Sequence, residues 1–182
     1  DLPNVPLSVS VYMPDRKHSF NRPLKELKIG QWVDFKIPLK ELSDPSQCDE
    51  MQFSLSESEY KDGDVVDFWI EGMALTGGDG GKKPYVLEDG AESAAKKWSP
   101  AEASCTADGK HSKTGKTALR FHVDIDWKSG EKKYPIGWPR MNRGMPGGIS
   151  VRDKAYEKYE DDHDGRSVPP PVWTCPLSQD SA

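Results

Sequence analysis

His18, His111, His122 and His163 are scattered along 182 residues with no HxH or HExxH spacing, so no local motif offers two imidazoles to one metal ion. Cys48, Cys105 and Cys175 are equally dispersed. Without a CxxC pair they argue against a thiolate zinc site or a dithiol redox motif. One disulfide with one spare thiol fits an exported chain, and the sequence leaves the pairing open. Gly115-Lys116-Thr117 ends like a phosphate loop, but five residues separate it from Gly109 where that motif has four. A strand pattern also follows it, where a phosphate loop needs a helix. Asp161-Asp162-His163-Asp164-Gly165 reads as a solvated charge run. Carboxylates are abundant, so a pair spaced for glycoside cleavage stays open; that spacing is not legible in one dimension.

Bulk composition narrows the classes further. The net charge of −5, with no basic stripe, argues against a nucleic-acid partner. No run of 18 apolar residues occurs, so no membrane-spanning helix is expected. Asp1-Leu2-Pro3-Asn4 does not read as a signal peptide. A processed, secreted or extracellular protein is the expected setting. Charged residues make up 30% and Gly plus Pro number 31 (16 and 15), which predicts a loop-rich chain with a modest core.

The elements that must position any site are strands. Leu7, Val9, Val11 and Met13 alternate with Ser8, Ser10 and Tyr12, the signature of a half-buried strand. Residues 14–30 read as a long loop. Val33, Phe35 and Ile37 alternate in Trp32–Leu39, and Met51, Phe53 and Leu55 in the next run. Asp62–Leu75 opens on a turn dipeptide and becomes a strand with Val66, Phe68 and Ile70 on one face and Asp67, Trp69 and Glu71 on the other. Gly77–Gly81 reads as a linker, Tyr85–Glu88 as a short strand, and 99–116 as a polar loop. Thr117–Trp127 is a second strong strand, with Leu119, Phe121, Val123, Ile125 and Trp127 inward and Arg120, His122 and Asp124 outward. Residues 141–182 have no sustained period and read as an irregular tail, with polyproline character over 167–173. The sum predicts an all-β sandwich.

Three segments carry a resemblance: Trp32-Val-Asp-Phe-Lys-Ile-Pro-Leu39, Met51-Gln-Phe-Ser-Leu55 and Gly63–Leu75. They resemble the closing strands of β-jelly-roll carbohydrate-binding modules of the galactose-binding-domain-like type. Glu88-Asp89-Gly90, Trp98 and Gly115-Lys-Thr-Ala-Leu-Arg-Phe121 resemble the opening strands of the same modules. The order is exchanged. The C-terminal-like half occupies residues 1–76 and the N-terminal-like half 83–140, with 77–82 as a glycine-rich link. A circular permutation within a module spanning 1–140 accounts for this; tandem fragments of two modules are the alternative. Under permutation, Glu71 within the strand Asp62–Leu75 should lie beside Glu88-Asp89-Gly90.

The resemblance implies non-catalytic polysaccharide binding within a secreted glycan-processing system. Alternatives are a structural sandwich packed on a catalytic or partner chain, and a small glycan-active hydrolase or lyase; no catalytic residue is assigned. A sugar ring packs its C–H face on an aromatic side chain while polar groups bond its hydroxyls. The candidates are Tyr12, Arg16, Trp69, Trp98, Trp138 and Arg140, with Trp173 and Arg120 as further members of the set. Core packing is the competing role for each tryptophan. Tyr12 leads, because its strand's alternation points it outward. The resemblance also implies a structural calcium ion, bound by Glu71, Glu88 and Gly90.

Overall fold

The computed structural model describes residues 7–15, 18–38, 41–42, 48–76, 85–88, 95–114, 116–127, 137–149 and 172–181. The protein is all-β, and two antiparallel sheets pack as a sandwich. The strands in chain order are β1 (Ser8–Tyr12), β2 (His18–Pro23), β3 (Val33–Pro38), β4 (Cys48–Ser54), β5 (Val65–Ile70) and β6 (Met73–Thr76). They continue with β7 (Tyr85–Glu88), β8 (Ser99–Ala101), β9 (Ser104–Asp108), β10 (Ala118–Asp124), β11 (Arg140–Ile149) and β12 (Val172–Ser181).

The first sheet has the order β2-β1-β4-β11-β8. The second runs β7-β6-β12-β5-β10-β9, with β3 paired to β12 off that path. Each sheet therefore mixes strands from both halves of the chain. Between them lies one apolar core. Val9 and Val11 from β1, Met51 and Phe53 from β4 and Met141 from β11 meet Val66, Phe68 and Ile70 from β5 and Phe121 and Val123 from β10. Period-2 alternation places these side chains inward and their sequence neighbours outward, as the pattern requires. Fully burying one such side chain contributes about 1.5–3 kcal/mol.

The segment joining β5 to β6 is a local break. Gly72 sits at φ +64°, a conformation that strains any residue with a Cβ. On the neighbouring strand, Thr174 pairs with Ala74 of β6 and Leu177 with Ile70 of β5. Pro176, which has no N–H to donate, thus falls where β12 passes from one partner to the other. Across the expected junction, β6 pairs antiparallel with β7, and Met73 lies opposite Glu88. Met73, two residues past Glu71, is thus the residue beside Glu88, while β5 itself, which ends at Ile70, is separated from β7 by β12 and β6. Gly77–Gly81 lies outside the described residues.

Several expectations change. Residues 141–182, read as an irregular tail, supply most of β11 and all of β12. β11 accommodates its glycines through a register irregularity between Gly144 and Ile149. The region 14–30 contains β2, and 99–116 contains β8 and β9. β10 stops at Asp124, and Trp127, expected inward, is 37% exposed.

A candidate binding face on the five-stranded sheet

Alternation makes the outer face of the first sheet polar and, apart from Glu50 opposite Tyr12 and Arg140 opposite Ser54, largely uncharged. One row crosses all five strands: Asn21 pairs with Ser10, Ser10 with Gln52, Gln52 with Asn142, and Asn142 with Ser99. These residues hydrogen-bond to one another across the strands. Asn21 Nδ2 donates to Ser10 Oγ at 2.7 Å, and Gln52 Nε2 donates to Asn142 Oδ1 at 2.9 Å. Tyr12, one row along, donates its hydroxyl to Gln52 Oε1 at 3.2 Å. Ser10 is buried at the floor; Tyr12, Gln52 and Asn142 are half-buried; Asn21 and Ser99 are exposed. A primary amide has two N–H donors and two lone pairs, so Gln52 and Asn142 retain capacity beyond these bonds.

The row on the other side holds Ser8, Ser54 and Arg140 in register. Pairing then runs past the strand ends, through Leu55 N–H to the Pro139 carbonyl at 3.0 Å and Glu57 N–H to the Gly137 carbonyl at 3.5 Å. Gly137 and Pro139 are buried, and Trp138 between them is turned outward, 53% exposed. Two carboxylates fix this segment: Glu57 accepts the Gly137 N–H and Glu102 accepts the Trp138 N–H, each at 2.7 Å. A Cβ on Gly137 would collide with both of them. Glu102 itself takes φ +54°, unusual for a residue with a side chain. Arg140 Nη1 donates to the Trp138 carbonyl at 3.2 Å and stands 3.9 Å from Glu102.

The outer face of the second sheet has another chemistry. Arg120 grips Asp67 through two bonds of 2.7 Å, and His122 Nδ1 lies 2.8 Å from the same carboxylate. Asp67 is 2% exposed. Its hydrogen bonds and charge raise the guanidinium pKa further, against the opposing effect of burial. Alongside, Trp69 Nε1 donates to Asp108 at 2.9 Å, and the indole packs on His111 with centroids 4.6 Å apart. Glu71 accepts the Lys113 N–H at 2.7 Å, the Thr114 N–H at 3.1 Å, the Ser112 hydroxyl at 3.0 Å and the Thr114 hydroxyl. The connection from β9 to β10 is thereby strapped across the sheet. Burial pushes the Glu71 and Asp108 carboxyls up, but the hydrogen bonds together outweigh it and hold both below their ordinary values.

The structure thus gathers Tyr12, Trp138 and Arg140 onto one face and separates them from Trp69 and Trp98. Trp69, 4% exposed, lies under the β9–β10 connection. Trp98, also 4% exposed, packs against Phe53 in the core with ring centroids 5.8 Å apart. Arg16 and Gly90 lie outside the described residues, and for Glu88 and Trp173 the strand position alone is described. A cation at Glu71 would have to displace four donors that already point at its oxygens. Among the described residues no group of three or more His, Cys, Asp or Glu side chains is placed to hold a metal ion. Sequence reasoning missed Ser10, Asn21, Gln52 and Asn142, although Gln52 between Met51 and Phe53 already reads as outward. A cleft of about 650 Å³ also opens beside Trp98, lined by Lys96, Cys105, Thr106, Ala107 and Thr117. Comparison with protein families, with curated proteins and with solved structures finds no match to this chain.

Proposed function

We propose that this protein is a non-catalytic polysaccharide-binding module that takes its glycan on the outer face of the five-stranded sheet. The observation that carries the reading is the row Asn21, Ser10, Gln52, Asn142 and Ser99, flanked by Tyr12. Sugar hydroxyls both donate and accept, and amides and hydroxyls answer both roles without the desolvation cost of a full charge. Tyr12 supplies an aromatic side chain beside the row. The sandwich is read as a jelly roll with its halves in permuted order, which the antiparallel pairing of β6 with β7 supports. Its setting is read as extracellular, where insoluble glycan is the surface to be held.

The test is retention on a panel of insoluble and soluble neutral polysaccharides. Folded wild-type protein should bind at least one of them. The double variant Gln52→Ala, Asn142→Ala should lose about tenfold in affinity, the equivalent of about 1.4 kcal/mol, with an unchanged circular dichroism spectrum. No retention of folded wild-type protein on any of them would overturn the reading.

A further inference from the structure

We propose that the glycan site is an extended one, running from Tyr12 past the amide row to a terminal sugar subsite built by Trp138, Arg140 and Glu102. Its ligand is then an uncharged chain of several sugar units rather than a single sugar. The inference rests on the glycan-binding reading above.

Three observations carry it. The first is continuity. Tyr12 lies opposite Glu50 on β4, while Trp138 falls level with Ser56, because the ladder continues through Leu55 to Pro139 and Glu57 to Gly137. Six residues of strand separate the two levels, about 20 Å at roughly 3.3 Å per residue. The polar side chains of Gln52, Ser54, Asn142 and Arg140 fill the interval on the same face.

The second is the state of Trp138. It is 53% exposed, the most exposed large apolar side chain among the described residues. Its backbone is nevertheless pinned, by the Glu102 carboxylate on its own N–H and by the Glu57 carboxylate on the preceding Gly137 N–H. Gly137 is the residue type that lets both carboxylates approach this closely. A ring held in place by its backbone yet left open to solvent suits stacking on a sugar face at little ordering cost.

The third is the polar pair beside it. The Arg140 guanidinium and the Glu102 carboxylate are 37% and 39% exposed and 3.9 Å apart, longer than a direct hydrogen bond. Both keep hydrogen-bonding capacity toward solvent. A donor and an acceptor of this kind next to an open indole are what a sugar ring's edge requires, and Tyr12 with Gln52 offers a similar arrangement at the other end.

The experiment is titration calorimetry with oligosaccharides from disaccharide to hexasaccharide, prepared from the neutral polysaccharide that the wild-type protein retains. Affinity should rise with chain length, the hexasaccharide binding about tenfold or more above the disaccharide. Trp138→Ala should bring the hexasaccharide down about tenfold, the worth of one aromatic contact of about 1.4 kcal/mol, and leave the shorter chains that seat at Tyr12 unaffected. Trp138→Phe should recover part of the loss, which a merely structural role of the indole would not predict. Equal affinity at all lengths, or a hexasaccharide affinity untouched by Trp138→Ala, overturns the extended site and leaves the glycan reading standing. Failure of the polysaccharide and of every oligosaccharide to bind overturns both.

Discussion

On the outer face of the five-stranded sheet, Ser10, Gln52 and Asn142 stand at positions equivalent to those that Asp67, Trp69, Arg120 and His122 occupy on the outer face of the second sheet. Both faces come from the same alternation, yet they reach opposite ends. The charged face is spent internally. Asp67 is matched by two bonds from Arg120 and one contact from His122, Asp108 by Trp69 and His111, and Glu71 by the Ser112–Thr114 loop. A buried carboxylate tolerates nothing less, because an unmatched charge away from water costs several kcal/mol. The amide face is held by fewer bonds and keeps donors and acceptors in reserve. One face is closed on itself and the other keeps hydrogen-bonding groups in reserve, and apart from Glu50 and Arg140 the difference is one of ionic against neutral side chains.

The comparison breaks most visibly at Asp67. Asp67→Ala strips the partner from Arg120 and His122 on a face where the carboxylate is buried. We expect a loss of about 2–4 kcal/mol, at the lower side of the range for buried pairs because Arg120 remains a third exposed. Urea denaturation measures it. Glycan retention by the fraction still folded should be unchanged; a variant of wild-type stability would show that the charged face does not close the fold.

Acid provides the next lever. Glu71 and Asp108 are held below their ordinary values of 4.5 and 3.8. The folded protein therefore binds these protons less readily than the unfolded chain does. The resulting stabilisation is complete above about pH 4.5 and is lost as pH falls through the lowered folded values. Urea midpoints followed downward from about pH 7 should drop below about pH 4.5. Glu71→Gln should start about 1–2 kcal/mol less stable and fall less steeply. Parallel wild-type and variant curves would remove Glu71 from the account.

How legible this was depends on which side of a strand is buried. β1, β5 and β10 each pack one face on the core, so their period of 2 is printed in Val9 and Val11, in Val66, Phe68 and Ile70, and in Leu119, Phe121 and Val123. β2, β8 and β9 are edges of their sheets and contribute few core side chains, so they left loop-like sequence. β12 hid behind Pro176, which belongs to a change of partner that exists only in three dimensions. The site follows the same rule. Tyr12 was readable as outward from its own strand. The Gln52–Asn142 bond spans 90 residues and exists only because β4 and β11 are neighbours. Alternation also put Trp69 on an outward face, but a face can be covered, and the strap from Asp108 to Thr114 was not visible in the pattern that placed the ring.

The smallest expected effect is on the stability of the amide face. Gln52 and Asn142 are half-buried, and each can turn toward water when its partner is removed. The bond between them is neutral and contributes about 0.5–1.5 kcal/mol at most, and water recovers part of that at an accessible position. Gln52→Ala with Asn142→Ala should therefore cost no more than about 1 kcal/mol in urea, well below Asp67→Ala, while its glycan affinity falls by the larger factor. The two pairs of measurements form a cross. Substitution on the charged face moves stability and spares binding, and substitution on the amide face moves binding and spares stability. If Gln52→Ala, Asn142→Ala destabilises as much as Asp67→Ala, the amide row is structural in the same sense as the charged network, and the distinction between the faces falls.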